Sequence, residues 1–134
     1  MTPEARFSAR VKAALPNCAI ERIENRVNLG IPDMLIGIGE RFVLVELKVV
    51  AKGLKVGLRP HQIAFLTRHA AKGRPCYVLV LDAGNTLRPS TIRLYHGRDA
   101  MDLAAHGIKL EPLKCWPSRG MPWKELEETL GLVK

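Results

Sequence analysis

The sequence predicts an α/β fold in which a mixed β-sheet is flanked by helices. Three observations lead there. Met34–Ile38 and Phe42–Val45 are apolar at almost every position, a helical pattern runs from Pro60 to about Lys72, and a further apolar run, Cys76–Leu81, follows it. Strands apolar at every position are expected in the middle of a sheet covered on both faces. A tight turn between the first two runs makes that pair antiparallel. The strand, helix and strand that come next imply a crossover connection and a parallel pair, so the sheet is mixed. With 134 residues the chain reaches the usual size of one domain.

Thr2 and Pro3 suit the N-cap and first position of a helix. Phe7, Val11, Ala14 and Leu15 then recur at helical spacing until Pro16 and Asn17 interrupt. From Ala19 to Val27, Ile20, Ile23 and Val27 alternate with Glu21, Arg22, Glu24 and Arg26, a pattern for an exposed or edge strand. Gly39-Glu40 joins the two apolar runs as a two-residue loop with Gly first, the form a type II′ hairpin turn favours. Lys52 to Arg59 mixes Gly53 and Gly57 with Lys52, Lys55 and Arg59 and reads as a mobile basic loop. Pro60 opens the next helix, whose inward side carries Ile63, Leu66 and Ala70 and whose stop is Gly73. Thr91–Tyr95 is a further strand and Asp99–Ala105 a short helix closed by Gly107. The Pro-rich remainder ends in helical spacing from Trp123 to Leu130. The expected organisation is a single domain, with a core over about residues 1–96 and an accessory segment over 97–134.

Lys and Arg number 21 against 13 Asp and Glu, a net charge of +8, and the pI is about 9.8. Polyanions are therefore the first partners to consider. Cys18, Cys76 and Cys115 are odd in number and far apart, which suits neither a disulfide framework nor paired zinc ligands and fits a reducing compartment. The first 15 residues lack the apolar centre of a signal peptide, and no stretch approaches the roughly 18 apolar residues that cross a bilayer. The expectation is a soluble cytoplasmic protein, bacterial or phage-encoded in a host.

With Gly39 and Glu40 as the turn, Ile38 faces Arg41 and, counting outward, Asp33 faces Glu46. Opposed residues of an antiparallel pair hold their Cβ atoms roughly 4.5–5.5 Å apart on one face. Lys48, two residues beyond Glu46, shares that face. The rest of the hairpin is apolar on both sides. Two carboxylates facing each other in such surroundings repel unless a proton or cation lies between them. Oxygen ligands without Cys or His select Mg²⁺ or Mn²⁺, and the backbone carbonyl of Leu47 is a further candidate ligand. The Lys48 ammonium, placed near a phosphate, can stabilise developing negative charge or help orient and deprotonate a water nucleophile. Phosphodiester hydrolysis suits this cluster. Either half alone, an Asp opening a strand or a Glu-x-Lys within one, is a common structural feature; their pairing in apolar surroundings singles them out.

Gly30-Ile-Pro-Asp33, an apolar strand, Val45-Glu-Leu-Lys48, and Leu58-Arg-Pro-His-Gln62 at a helix start resemble the PD-(D/E)XK nuclease superfamily. Within it the chain is most similar to the VRR-NUC group and to phage and archaeal-type Holliday-junction resolvases, over about Gly30 to Leu81. The resemblance implies a restriction-endonuclease-like fold, divalent-metal-dependent DNA cleavage and often a twofold homodimer acting on branched DNA. It makes Asp33 and Glu46 the metal-binding acids, Lys48 the catalytic lysine and Gln62 a site residue facing them. It also implies a further acid on the first helix, for which Glu4 is the best match and Glu21 or Glu24 the alternatives.

Lys52, Lys55, Arg59 and His61 follow the catalytic strand and are candidates for DNA phosphate contacts; Arg68 and Lys72 extend that surface. His69, His96 and His106 lack neighbours at metal-ligand spacing and read as surface or capping residues. Trp116 and Trp123 read as core or interface anchors. No helix-turn-helix or zinc-finger spacing is present, so recognition of DNA by shape is expected ahead of recognition by sequence. The alternatives to an endonuclease for branched or flapped DNA are a non-catalytic nucleic-acid-binding protein on the same fold and a regulatory partner protein that is basic only in composition.

Overall fold

Six strands follow one another in space in the order in which they occur in the chain. The computed structural model describes residues 1–23 and 30–132. Helix α1 (Pro3–Ala14) leads into β1 (Ala19–Arg22), β2 (Met34–Ile38) and β3 (Arg41–Val50); α2 (Pro60–Ala71) crosses to β4 (Cys76–Asp82), and β5 (Thr91–His96), α3 (Ala100–His106), β6 (Lys114–Pro117) and α4 (Trp123–Leu132) complete the chain. Among the described residues only β3 and β4, the pair joined through α2, run parallel; every other neighbouring pair is antiparallel.

The first helix begins as its sequence requires, with the Thr2 hydroxyl accepting the Ala5 N–H at 3.1 Å and Pro3 in the first position. The β2–β3 turn takes the expected form: Gly39 has φ 57°, and no non-glycine residue among those described has positive φ, which leaves type II′ and excludes I′. Its register pairs Ile38 with Arg41 and Met34 with Val45. At the end of α2, Gly73 takes φ 75° and its N–H reaches the Ala70 carbonyl.

Alternation along the strands sorts the side chains into two cores. On one face Met34, Ile36, Val43, Val45, Leu47 and Leu79 pack against Phe7 and Val11 of α1, Leu15 at its C-cap, and Leu126 and Leu130 of α4. On the other, Val50, Val78, Val80 and Tyr95 pack against Leu66 of α2 and Leu103 of α3. Helices thus lie on both sides of the sheet.

Of the strand anticipated from Ala19 to Val27, Ala19–Arg22 is present as β1, while Glu24, Arg26 and Val27 lie outside the described residues. Three expectations change. The β2–β3 hairpin is not covered on both faces: Leu35, Gly37 and Leu44 are half-buried and Phe42 is 65% exposed, because α2 lies over β4 and leaves this part of the sheet open. The Pro-rich C-terminal stretch contains a strand, β6, that its composition concealed; Trp116 within it is buried in the first core and Trp123 lies under the Arg10 guanidinium. The expected accessory segment therefore supplies a sheet edge and α4. The basic loop after β3 is also not free. Val56 is buried in the second core, Leu54 accepts a hydrogen bond from the Ile108 N–H at 2.8 Å, and Gly53 accepts one from Arg88 at 3.1 Å. Apolar residues at 54, 56 and 58 alternate with the basic ones, and burying them fixes the loop.

Candidate active site

Asp33 stands one residue before β2, so the register that pairs Met34 with Val45 sets it opposite Glu46. One oxygen of its carboxylate, Oδ2, accepts the Leu47 N–H at 3.0 Å. The main chain of Leu47 therefore points toward β2, and its carbonyl shares that direction. Across from it the register sets Pro32, which has no N–H to offer. The Leu47 carbonyl is thus directed to the side on which Asp33 lies.

Glu46 is only 2% exposed. Its Oε2 accepts a hydrogen bond from Gln62 Nε2 at 3.0 Å and lies 3.4 Å from Lys48 Nζ, while Oε1 is buried with no partner. Burial, and after it the neighbouring Asp33 carboxylate, push the Glu46 carboxyl up to about 8 against the pull of the Lys48 ammonium. A buried carboxyl oxygen without a partner is costly, the more so once the group ionises. Asp33 close enough to perturb Glu46, an orphaned Oε1 and a proline-facing carbonyl make an all-oxygen donor set, which fits a hard divalent cation that keeps part of its water shell.

Gln62 reaches the cluster from the first turn of α2. Its Oε1 accepts the Arg59 N–H at 2.9 Å, which orients the amide so that Nε2 points to Glu46. The same contact satisfies the N-cap N–H of α2 from within the helix's first turn. Asp33, Glu46, Lys48 and Gln62 are therefore brought together as the sequence led one to expect.

Of the candidates for the third acid, Glu24 lies outside the described residues and neither Glu4 nor Glu21 is seen to join the cluster. Glu4 is exposed in the first turn of α1, whose buried residues pack on the opposite sheet face, and the charges acting on Glu46 are those of Asp33 and Lys48. Glu21 shares the face of Asp33, since β1 pairs it with Leu35, but it too is exposed. Among the described residues no three His, Cys, Asp or Glu side chains group as a metal cage. Lys52, Lys55, Arg59, His61, Arg68 and Lys72 are all exposed, the first three on the pinned loop that leaves β3 just beyond Lys48. His69 stacks on Phe65, and His96 is a buried cap whose Nδ1 accepts the Arg98 N–H at 3.0 Å.

Sequence reasoning missed a second buried acid. Asp82 ends β4 with 0% exposure and takes both Nε and Nη2 of Arg88, at 2.7 and 3.0 Å, with the Gly84 N–H at 3.0 Å. The same Arg88 Nη2 reaches Gly53 in the basic loop. A lone Asp after a buried strand reads as a turn residue, so only an Asp-x5-Arg spacing across a hairpin hinted at the pair.

The fold is found elsewhere. The structure of Hjc from Archaeoglobus fulgidus, a Holliday junction resolvase of an archaeal hyperthermophile, matches with a TM-score of 0.52 at 18% identity, over 70% of this chain and 77% of that one. This chain shares the fold of that resolvase. The restriction-endonuclease-like α/β architecture implied by the motifs is thus present; at such identity the likeness concerns fold alone. No family model and no curated protein matches the sequence. No helix among the described residues is long and apolar enough to cross a membrane.

Proposed function

We propose that this protein is a divalent-metal-dependent endonuclease that hydrolyses phosphodiester bonds in branched or otherwise structured DNA. The observation that carries the reading is Glu46 Oε1, a carboxylate oxygen buried without a partner next to Asp33, on the face that also presents Lys48. A stabilising role does not explain it, because an apolar residue of the same size would remove the penalty.

Asp33 and Glu46, with the Leu47 carbonyl, hold Mg²⁺ or Mn²⁺ in this reading. The ion supplies Lewis-acid polarisation of a phosphoryl oxygen and a more acidic water. Lys48 places an ammonium where negative charge develops on the phosphate. Gln62 holds Glu46 Oε2. Lys52, Lys55, Arg59, His61 and Arg68 contact the DNA backbone, and the pinned loop presents its cations in a fixed arrangement, which favours recognition of shape. The likeness to a Holliday junction resolvase supports a branched substrate. A twofold homodimer would set two such sites on one junction.

The test is incubation of labelled four-way junction, flap, single-stranded and linear duplex DNA with Mg²⁺ or Mn²⁺ and with chelator. Metal-dependent incision, most efficient on the branched substrates and lost in Asp33→Ala and Lys48→Ala, is the expected result. No incision of any substrate, or incision unaffected by both substitutions, overturns the reading.

A further inference from the structure

Gly30 is buried at φ 75°. A Cβ there would stand 2.1 Å from the His61 carbonyl oxygen, 2.3 Å from its carbon and 2.8 Å from the Gln62 nitrogen. All three are main-chain atoms in the first turn of α2, so no flexible side chain can give way. The segment leading to Asp33 therefore rests directly on the backbone that carries Gln62. The carboxamide of Gln62 is held from two sides, by the Arg59 N–H and by Glu46 Oε2. The two acids of the site come from different strands, and α2 meets both: Asp33 three residues on from Gly30, and Glu46 through Gln62.

We infer that Gly30 is a positioning residue of the metal site: its close approach to α2 holds Gln62 where it occupies Glu46 Oε2 and leaves Oε1 free for a cation. The inference rests on the metal-site reading above. A side chain at position 30 separates the Asp33 segment from α2, draws Gln62 away from Glu46 and lets the carboxylate turn. Partners one step removed from a metal commonly change its affinity 10- to 100-fold.

Gly73 supplies a matched control. It has the same φ of 75°, and a methyl group added there would meet nothing within 4 Å, so Gly73→Ala imposes the backbone strain without the collision. The experiment is calorimetric titration of Mn²⁺ into metal-free wild type, Gly30→Ala, Gln62→Ala, the double variant and Gly73→Ala, with junction-DNA affinity measured in chelator and melting followed by circular dichroism. Gly30→Ala and Gln62→Ala should each weaken Mn²⁺ binding about tenfold or more. The double variant should be no weaker than Gly30→Ala alone, because both act through one contact. Gly73→Ala should melt earlier yet bind Mn²⁺, and junction DNA in chelator, as wild type does.

Unaltered Mn²⁺ affinity in Gln62→Ala, additive losses in the double variant, or an equal loss in Gly73→Ala overturns the inference. If Gly30→Ala does not fold, Gln62→Ala carries the test, since it removes the contact to Glu46 Oε2 without the collision. If wild type itself binds no Mn²⁺, the metal-site reading fails, an outcome distinct from failure of the Gly30 argument.

Discussion

Glu46 and Asp82 are both buried carboxylates on adjacent parallel strands, and the molecule treats them in opposite ways. Asp82 is satisfied on both oxygens by Arg88 and Gly84. Burial raises its carboxyl, but the Arg88 hydrogen bonds, the Gly84 N–H and the Arg88 charge outweigh it and hold the group below the usual carboxylate range. Glu46 has one oxygen occupied and one orphaned, and is pushed up to about 8. The first arrangement stabilises the hairpin between β4 and β5. The second stores a cost in the folded protein that a cation at the orphaned oxygen would relieve. Burial alone thus says little about a carboxylate's role; whether its lone pairs are filled says more.

The comparison breaks most readily on activity. Glu46→Gln should lower cleavage about a thousandfold or more, since several kcal/mol of metal-derived stabilisation are lost. Asp82→Asn should leave the maximal rate at saturating DNA within about threefold, measured on the same junction, because both Asp82 oxygens are engaged by Arg88 and Gly84 and neither is offered to a cation. A large loss of turnover in Asp82→Asn would remove the distinction between the two acids.

Stability should divide them the other way. Asp82→Asn breaks the paired hydrogen bonds to Arg88 and should lower the urea midpoint. Glu46→Gln should raise the melting temperature of the metal-free protein at pH 9, by about 5 °C, since the ionised Glu46 that the substitution removes is disfavoured in the fold.

Their pH dependences have opposite signs. In the folded protein Glu46 keeps its proton from the ordinary 4.5 up to about 8, whereas the unfolded chain has lost it. The folded state then binds more protons, so metal-free stability falls as pH rises across that window. Asp82, depressed below 3.8, contributes stability that is present above that value and is lost as pH falls through its lower folded value. Chemical denaturation across pH should show the alkaline decline abolished in Glu46→Gln and the acid decline reduced in Asp82→Asn. Divalent cations should reverse the alkaline decline, and their affinity should rise with pH up to about 8.

The smallest effect concerns the loop that Arg88 ties down. Lys52→Ala, Lys55→Ala and Arg59→Ala should each reduce the slope of log affinity against log salt by about one while leaving Mn²⁺ binding intact. Fluorescence anisotropy of labelled junction DNA over a salt series measures this, and an unchanged slope in all three would remove the loop from the DNA surface.

The sequence by itself determined what is local. Gly39-Glu40 specified a turn, the turn a register, and the register the facing of Asp33 and Glu46 with Lys48 beside them. Thr2-Pro3, Pro60 and Gly73 marked helix ends through capping chemistry that acts within a few residues. Tertiary structure decided what depends on contacts distant in the chain. These are the depth of Glu46 and its orphaned oxygen, the Arg88 bridge from Asp82 to Gly53, the pairing of β6 with β5, and the seat of Gly30 on α2. Composition misled at Lys52–Arg59, where glycine and charge suggested mobility while Leu54, Val56 and Leu58 found hydrophobic partners across the fold. Side-chain spacing is written in the sequence, but desolvation is a property of the assembled surroundings. At equal burial, the partners that the fold brings near are what separate the orphaned Glu46 oxygen from the Asp82 carboxylate already held by Arg88 and Gly84.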